Sequence, residues 1–286
     1  MNRVDKALHM VNREGFGLEI GPSINPVAPK KKGFNIEIID HATAEELRKK
    51  YQNHADRISN IEEVDYVWQG EPLTELIGGQ NIYDFIIASH VIEHVPDFVS
   101  FLIQCEMLLK PSGVLSLIVP DKRYCFDYFR WPSSTGDVLQ AYTDKRTRPT
   151  PGAVFDYFSN AVRMSGAHIW GPETEAGSFS YIHTVERANQ LWKAAQTSQE
   201  YIDIHNWCFT PFSFKLILHD LNSLALTQLN EKCSFATTGC EFYVTLARSV
   251  VSKPEMDRLQ LAKQAMNEFL APLGTTEKTL MSTSTS

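Results

Sequence analysis

Gly17-Leu18-Glu19-Ile20-Gly21-Pro22-Ser23 is a short apolar run that closes on an acidic residue, a glycine and a proline. It reads as a strand stopping at a tight turn, where the missing glycine Cβ lets a ligand approach bare backbone. Asn35-Ile36-Glu37-Ile38-Ile39-Asp40 is a second strand ending in a carboxylate, and Asp40 lies 19 residues beyond Gly21. An acidic residue about 20 positions after a glycine turn is where nucleotide-binding sheets hold ribose hydroxyls. A dinucleotide fingerprint would carry three glycines, but Ser23 and Asn25 take the later small-residue positions, followed by Pro26 and Pro29. Prolines there oppose a helix starting directly on a bound pyrophosphate, which disfavours a nicotinamide cofactor.

On either side of this unit the chain alternates strands and helices. Val4, Ala7, Leu8 and Val11 have helical spacing over residues 3–13, and residues 22–33 form a loop. Thr43 opens a helix to Tyr51 with Glu46 as its capping-box partner. Val64–Trp68 is a third strand, and Tyr83–Ser89 is a fourth whose continuous apolar character suits burial on both faces. Val95–Leu109 has the helix period and stops at Pro111-Ser112-Gly113, and Val114–Val119 is a fifth strand ending at Asp121. This rhythm predicts a parallel sheet with helices on both faces.

Residues 122–200 break the rhythm with many aromatics and prolines, and are expected to form a cap over the carboxyl ends of the strands. Val154–Met164 and Val185–Thr197 are its predicted helices, the second capped by Thr184. Thr210-Pro211 starts a further helix to Leu221. Leu224–Leu229 and Glu241–Ala247 are the predicted closing strands, followed by a helix from Ser252 to Leu270 and a loose Ser/Thr-rich tail. The expected division is therefore 1–121 for the first part of the α/β domain, 122–200 for the cap, 201–250 for the rest of the domain, and 251–286 for the helix and tail.

Bulk composition narrows the function classes. The 286 residues are 43% hydrophobic and 21% charged, enough for a sizeable core. The formal net charge of −7 gives no broad basic surface, which disfavours a nucleic-acid partner, and Lys30-Lys31-Lys32 reads as a solvated loop. Five cysteines with no Cys-x-x-Cys pair fit free thiols in a reducing compartment. No signal peptide and no apolar run long enough to span a membrane are evident, so the expected address is the cytoplasm.

Ser89-His90-Val91-Ile92-Glu93-His94-Val95-Pro96-Asp97 follows the fourth strand, and Leu108-Leu109-Lys110-Pro111-Ser112-Gly113 lies downstream. Together with the first turn and Asp40, these segments resemble the class I S-adenosylmethionine-dependent methyltransferases of the type 11 group. The resemblance covers residues 17–121 and implies S-adenosylmethionine as cofactor. It also implies a doubly wound, Rossmann-like α/β fold with a seven-stranded sheet, mostly parallel with the last strand antiparallel, carrying an inserted cap. Carried over by position, Glu19, Gly21, Pro22 and Ser23 shape the turn beside the methionine part of the cofactor. Asp40 binds the ribose hydroxyls, Trp68 and Gln69 line the adenine, and Ser89 and His90 face the methionine moiety. His90 and His94 are spaced like two ligands on one helix face with Glu93 between them, but the local sequence offers no third ligand, and no metal is assigned.

Asp203-Ile204-His205-Asn206-Trp207-Cys208-Phe209-Thr210-Pro211, together with Glu241-Phe242-Tyr243-Val244, resembles segments of bacterial methyltransferases associated with cell-surface polysaccharide assembly. That likeness implies a glycan hydroxyl as acceptor and a glycosyltransferase as partner. A sugar hydroxyl is a poor nucleophile until it loses its proton, so a general base near neutral pKa is needed. His205 is the first candidate, then His183, with Asp121 and His168 also in range. Arg123, Arg130 and Arg163 could pair an anionic acceptor. A small-metabolite or lipid-like acceptor, a non-catalytic relative, and a nicotinamide enzyme remain as alternatives.

Overall fold

The computed structural model describes residues 1–54, 56–248 and 256–271. Strands β1 (Gly17–Ile20), β2 (Ile36–Asp40), β3 (Tyr66–Val67), β4 (Tyr83–Ser89), β5 (Leu109–Pro120), β8 (Leu229–Thr238) and β9 (Glu241–Arg248) form one seven-stranded sheet in the order β3-β2-β1-β4-β5-β9-β8. The first five strands run parallel; β9 is antiparallel to β5 and β8 is antiparallel to β9. This is the doubly wound α/β sheet that the alternating pattern implied. The strand order reverses between β1 and β4, where Gly17 pairs with Phe85 and Ile20 with Ala88. A crevice therefore opens beyond Ile20 and Ser89, at the switch point where such sheets bind ligands.

Alternation along the strands divides the core between the two faces. Ile20, Ile86, Ala88, Leu115 and Leu117 join one core cluster with α4 (Phe98–Leu108) and α8 (Pro211–Ser223). Phe85, Ile87, Val114 and Ile118 join the other with α1 (Arg3–Ala7). A buried polar residue in β5 fixes α1, because the Ser116 hydroxyl donates to the Ala7 carbonyl at 2.6 Å. α2 (Ala44–Lys50) carries the expected capping box of Thr43 and Glu46, and α3 (Leu73–Ile77) is a short turn that the sequence pattern did not separate from a loop.

The stretch 122–200 divides into unlike parts. α5 (Thr135–Asp144) buries Val138 and Ala141 in the same core as α4 and α8, so it belongs to the layer on the sheet. α6 (Pro151–Asn160) and α7 (Val185–Thr197) pack on each other around Val154 and Ala195. A hairpin of β6 (Val162–Met164) and β7 (Phe179–Tyr181) covers Trp170.

Several boundaries differ from the sequence pattern. The helix expected over Val154–Met164 runs from Pro151 to Asn160, and Val162–Met164 is strand β6 instead, where the Val162 N–H donates to the Phe126 carbonyl. The first helix ends at Ala7, and Leu8 and Val11 reach the core from a turn instead. The seventh strand of the sheet is Leu229–Thr238, not Leu224–Leu229; Ala225 adopts φ 55° and the Leu226 N–H closes back onto Leu221 O, so 224–226 is the turn that ends α8. As an edge strand with only Leu229 fully buried, β8 lacks the apolar run that marks a central strand. The last helix, α9 (Arg258–Leu270), is capped by Asp257 and packs on α8, while the predicted start at Ser252 and the Ser/Thr tail lie outside the described residues.

Gly17 is required by close approach: a Cβ there would sit 2.1 Å from the Phe85 ring of the neighbouring strand. Gly17→Ala is expected to destabilise the protein by about 1–3 kcal/mol through overpacking, read as a lower urea midpoint at unchanged slope. A midpoint equal to wild type would show that β1 and β4 can separate to admit the methyl group.

Candidate active site

The turn after β1 is held by a buried acid. Glu19 is fully buried, and its carboxylate accepts the N–H groups of Val27 at 2.6 Å and Ala28 at 3.0 Å. Burial raises its pKa to about 7 against the lowering effect of those two N–H groups and of Arg3. Gly21 sits at φ 65°, where a Cβ would also meet Val91 at 2.9 Å. Pro22 is buried behind it, and Ser23 is also left-handed at φ 44°. The Ser23 N–H donates to Asp40 Oδ2 at 2.8 Å, which ties the turn to the end of β2. The other Asp40 oxygen accepts the His41 N–H at 2.8 Å and lies 2.7 Å from His41 Nδ1. Trp68 follows β3 half-buried, with its backbone N–H on the Asp40 carbonyl and its ring 6.4 Å from that of Phe101; Gln69 beside it is exposed.

Across the switch point, His90 turns out of β4 at φ 55°. Its Nε2 lies 2.8 Å from Glu241 Oε2 at the start of β9. Arg3 spans the same place, donating to Glu241 Oε1 at 2.8 Å and to the Ser89 hydroxyl at 2.7 Å, and the Tyr243 hydroxyl donates to Glu241 at 2.6 Å. Burial pushes the Glu241 carboxyl up, but the hydrogen bonds from His90 and Tyr243 and the charge of Arg3 outweigh it and bring it to about 2.

Behind His90 the loop 90–97 meets the segment before α8. The N–H groups of Asn206 and Trp207 donate to the Glu93 carbonyl, the Asn206 side chain and the Tyr201 hydroxyl donate to the His94 carbonyl, and the Trp207 indole donates to the Val95 carbonyl. These bonds set the buried His205 ring edge-on to His94, with centroids 4.7 Å apart. His205 Nδ1 lies 2.5 Å from Asp127 Oδ2, and Arg130 donates to the other Asp127 oxygen at 2.8 Å and to the His205 carbonyl at 2.8 Å. Burial alone would raise the Asp127 carboxyl, but His205 and Arg130 hold it well below the usual range. His94 Nδ1 lies 2.8 Å from Asp203; burial lowers the His94 imidazolium pKa, but that contact and the Glu93 charge raise it above the ordinary value.

The remaining base candidates have different surroundings. Asp121 is buried with both oxygens engaged, by a bidentate Arg123 and by the Thr237 hydroxyl. His183 sits in the cap with its ring 5.0 Å from Phe158, and burial together with Arg187 and Arg163 lowers its pKa. His168 is exposed and accepts from Arg163. Arg123 and Arg130 are both consumed in internal ion pairs. Sequence reasoning singled out His205, and named Arg130 only as a pair for an anionic acceptor, but missed Asp127 and the support that Asp127 and Arg130 give His205. They lie three apart inside an aromatic run whose irregular backbone has no period to signal them. It also missed Arg3, because nothing in a short N-terminal helix indicates that one residue reaches the strand ends.

A family profile described as a methyltransferase domain matches residues 4–222. No curated protein matches the chain. Among solved structures it is similar to a protein provisionally assigned as a sarcosine dimethylglycine methyltransferase from Galdieria sulphuraria, at 29% identity over 38% of this chain and 39% of that one, with a TM-score of 0.27. It is also similar to a 1,6-didemethyltoxoflavin-N1-methyltransferase from Burkholderia thailandensis, at 11% identity over 86% of this chain and 78% of that one, with a TM-score of 0.43. A provisionally assigned zinc-dependent alcohol dehydrogenase from Rhodobacter sphaeroides gives 12% identity over 86% and 89%, with a TM-score of 0.46. At such low TM-scores, none of the three bears on what this chain binds or does.

The depressed Glu241 carboxyl gives a pH signature. Its stabilising contribution is present above the unfolded value of 4.5 and is lost as pH falls toward about 2. Thermal unfolding between those limits is expected to show a shallower acid loss in Glu241→Gln than in wild type. Parallel pH profiles would show that the Arg3–Glu241–His90 network carries no net stability.

Proposed function

The chain belongs to the methyltransferase-domain family, and on that premise we propose that it uses S-adenosylmethionine to methylate a hydroxyl of a glycan or glycoconjugate. The residues present fit the cofactor. Gly21 carries the turn at the switch point in the left-handed region, where a Cβ would meet Val91, and Asp40 closes the adjoining strand within hydrogen-bond reach of Ser23. Glu19, Pro22 and Ser23 would keep that turn in shape, Asp40 would take the ribose hydroxyls, Trp68 and Gln69 would flank the adenine, and Ser89 and His90 would meet the methionine end. When bound, the cofactor supplies a methyl group on a positively charged sulfur, which leaves with the S–C electron pair as the acceptor oxygen attacks.

The observation that carries the hydroxyl reading is the His205–Asp127 contact of 2.5 Å. With Nδ1 held by a buried carboxylate, Nε2 is the nitrogen available to act on an acceptor proton, and the Asp127 charge favours the imidazolium that results. Arg130 prevents Asp127 from turning away. The surface of the cap favours sugar rings: Tyr181 and Phe129 are exposed with ring centroids 6.3 Å apart, a pair of apolar faces on which a pyranose can stack. A glycosyltransferase that builds the same glycan is the partner this acceptor implies. A second reading, a free small-molecule acceptor, is favoured by the size of the open groove of about 450 Å³ between Ile169–Thr174 and Thr238–Glu241, which suits one or two rings.

Methyl transfer from labelled cofactor to oligosaccharide, sugar-nucleotide and small phenolic acceptors tests the proposal directly. Turnover on saccharides is expected, and turnover on phenols alone would overturn the glycan assignment. His205→Ala is expected to lower kcat by about 10²–10⁴-fold, the range for loss of proton-transfer catalysis, and a near wild-type rate would remove His205 from that role. Asp40→Ala is expected to weaken S-adenosylhomocysteine binding by about tenfold or more, as loss of a charged hydrogen-bond partner does. Unchanged calorimetric affinity would refute the ribose assignment.

A further inference from the structure

Glu93 presents a physical problem that the proposed transfer does not use. Its side chain is fully buried, and both carboxylate oxygens lack a hydrogen-bond partner. Among the described residues it is the one side chain left with two such atoms. A buried, unpaired carboxylate is costly unless a charge compensates it. The groups around it are imidazoles: His90 Nδ1 at 3.6 Å and His94 Nε2 at 3.9 Å, both beyond hydrogen-bond reach.

We propose that Glu93, His94 and His205 form a binding site for one divalent transition-metal ion of the zinc type. One ligand atom from each lies within 4.8 Å of the others, so modest side-chain rotations bring all three onto one ion at bond lengths of about 2 Å. Each imidazole has its Nδ1 against a carboxylate, Asp203 for His94 and Asp127 for His205, which leaves both Nε2 atoms as the ligating nitrogens. Carboxylate-backed histidines of this kind fix the tautomer and raise ligand basicity. The two rings stand at 86° to each other, as two ligands of one ion can. The hydrogen bonds from Asn206 and Trp207 to the Glu93 carbonyl build the site before any ion arrives. Two imidazoles and one carboxylate select a zinc-like ion over calcium or magnesium, which prefer oxygen.

Three protein ligands leave a position open, and His94 is partly exposed, so solvent or an acceptor can reach it. This rests on the hydroxyl reading above and changes the part His205 plays in it: an acceptor hydroxyl in the open position becomes more acidic, and His205 Nε2, once on the ion, holds the ion instead of taking the proton itself. The O–H electron pair stays on the oxygen and the proton passes to water.

The test is zinc binding by the untagged full chain after stripping with chelator, followed by calorimetry and by metal analysis after desalting. One equivalent per chain is expected. Glu93→Gln and His94→Ala should each weaken binding at least tenfold, and Asp203→Asn should weaken it by about 10–100-fold, as loss of a histidine's supporting carboxylate does. Asp203 lies at the surface, so its variant is expected to keep the fold, checked by circular dichroism. Sub-stoichiometric binding by wild type, or wild-type affinity in both Glu93→Gln and His94→Ala, would overturn the site; the second result would place the ion elsewhere on the chain. Full turnover by the stripped chain would overturn its role at the acceptor. Stoichiometric zinc binding without turnover on any acceptor would instead count against the methyl-transfer reading alone.

Discussion

The carboxylate of Glu19, sealed inside the sheet and holding the N–H groups of Val27 and Ala28, is the contact on which the switch-point architecture depends. Those two N–H groups belong to a loop with prolines at 22, 26 and 29, which cannot satisfy its own backbone by forming a helix. With the far end of the loop pinned, Gly21 and Ser23 are held in the left-handed region, and the Ser23 N–H reaches Asp40. The strained turn and the acid at the end of β2 are thereby one unit. A dinucleotide-binding sheet reaches a comparable arrangement with a helix N-terminus; here a buried acid does it.

The opposite wall of the crevice relies on charge compensation. The Glu241 carboxylate of β9 gathers Arg3 of the first helix, His90 just after β4 and Tyr243, and Arg3 carries the contact on to the Ser89 hydroxyl. The antiparallel insertion of β9 beside β5 makes this possible, because it brings the start of β9 to the end where the parallel strands finish. A parallel strand in that position would have presented its last residue there, and Glu241 would lie at the other end of the sheet.

Behind this wall lies a cluster in which most charges are paired. Asp127 is neutralised by Arg130 and His205, and Asp203 faces His94, but Glu93 has no hydrogen-bond partner. The backbone bonds between 93–95 and 201–207 fix it in that state. Burying polar groups this densely is costly for a fold and is found where chemistry or a ligand needs it.

The local code determined the elements that the sheet is made of. Apolar runs at β1, β2, β4 and β5, the Gly21 turn, the Thr43 and Thr184 caps and the Thr210-Pro211 start are all short-range signals, and each appears where its residues place it. The edge strand β8 and helices α3 and α5 carry weaker signals, because half-exposed or short elements have little apolar periodicity. His205 could be singled out in sequence, yet its partners could not: Asp127, Arg130, Glu93 and His94 are distant in the chain and meet only because α8 packs on the sheet and draws 201–207 against the loop after β4. Spacing along a chain can place side chains on one face of one element. Bringing a third ligand or a supporting carboxylate from another element requires the packed core, and that was decided by the tertiary structure alone.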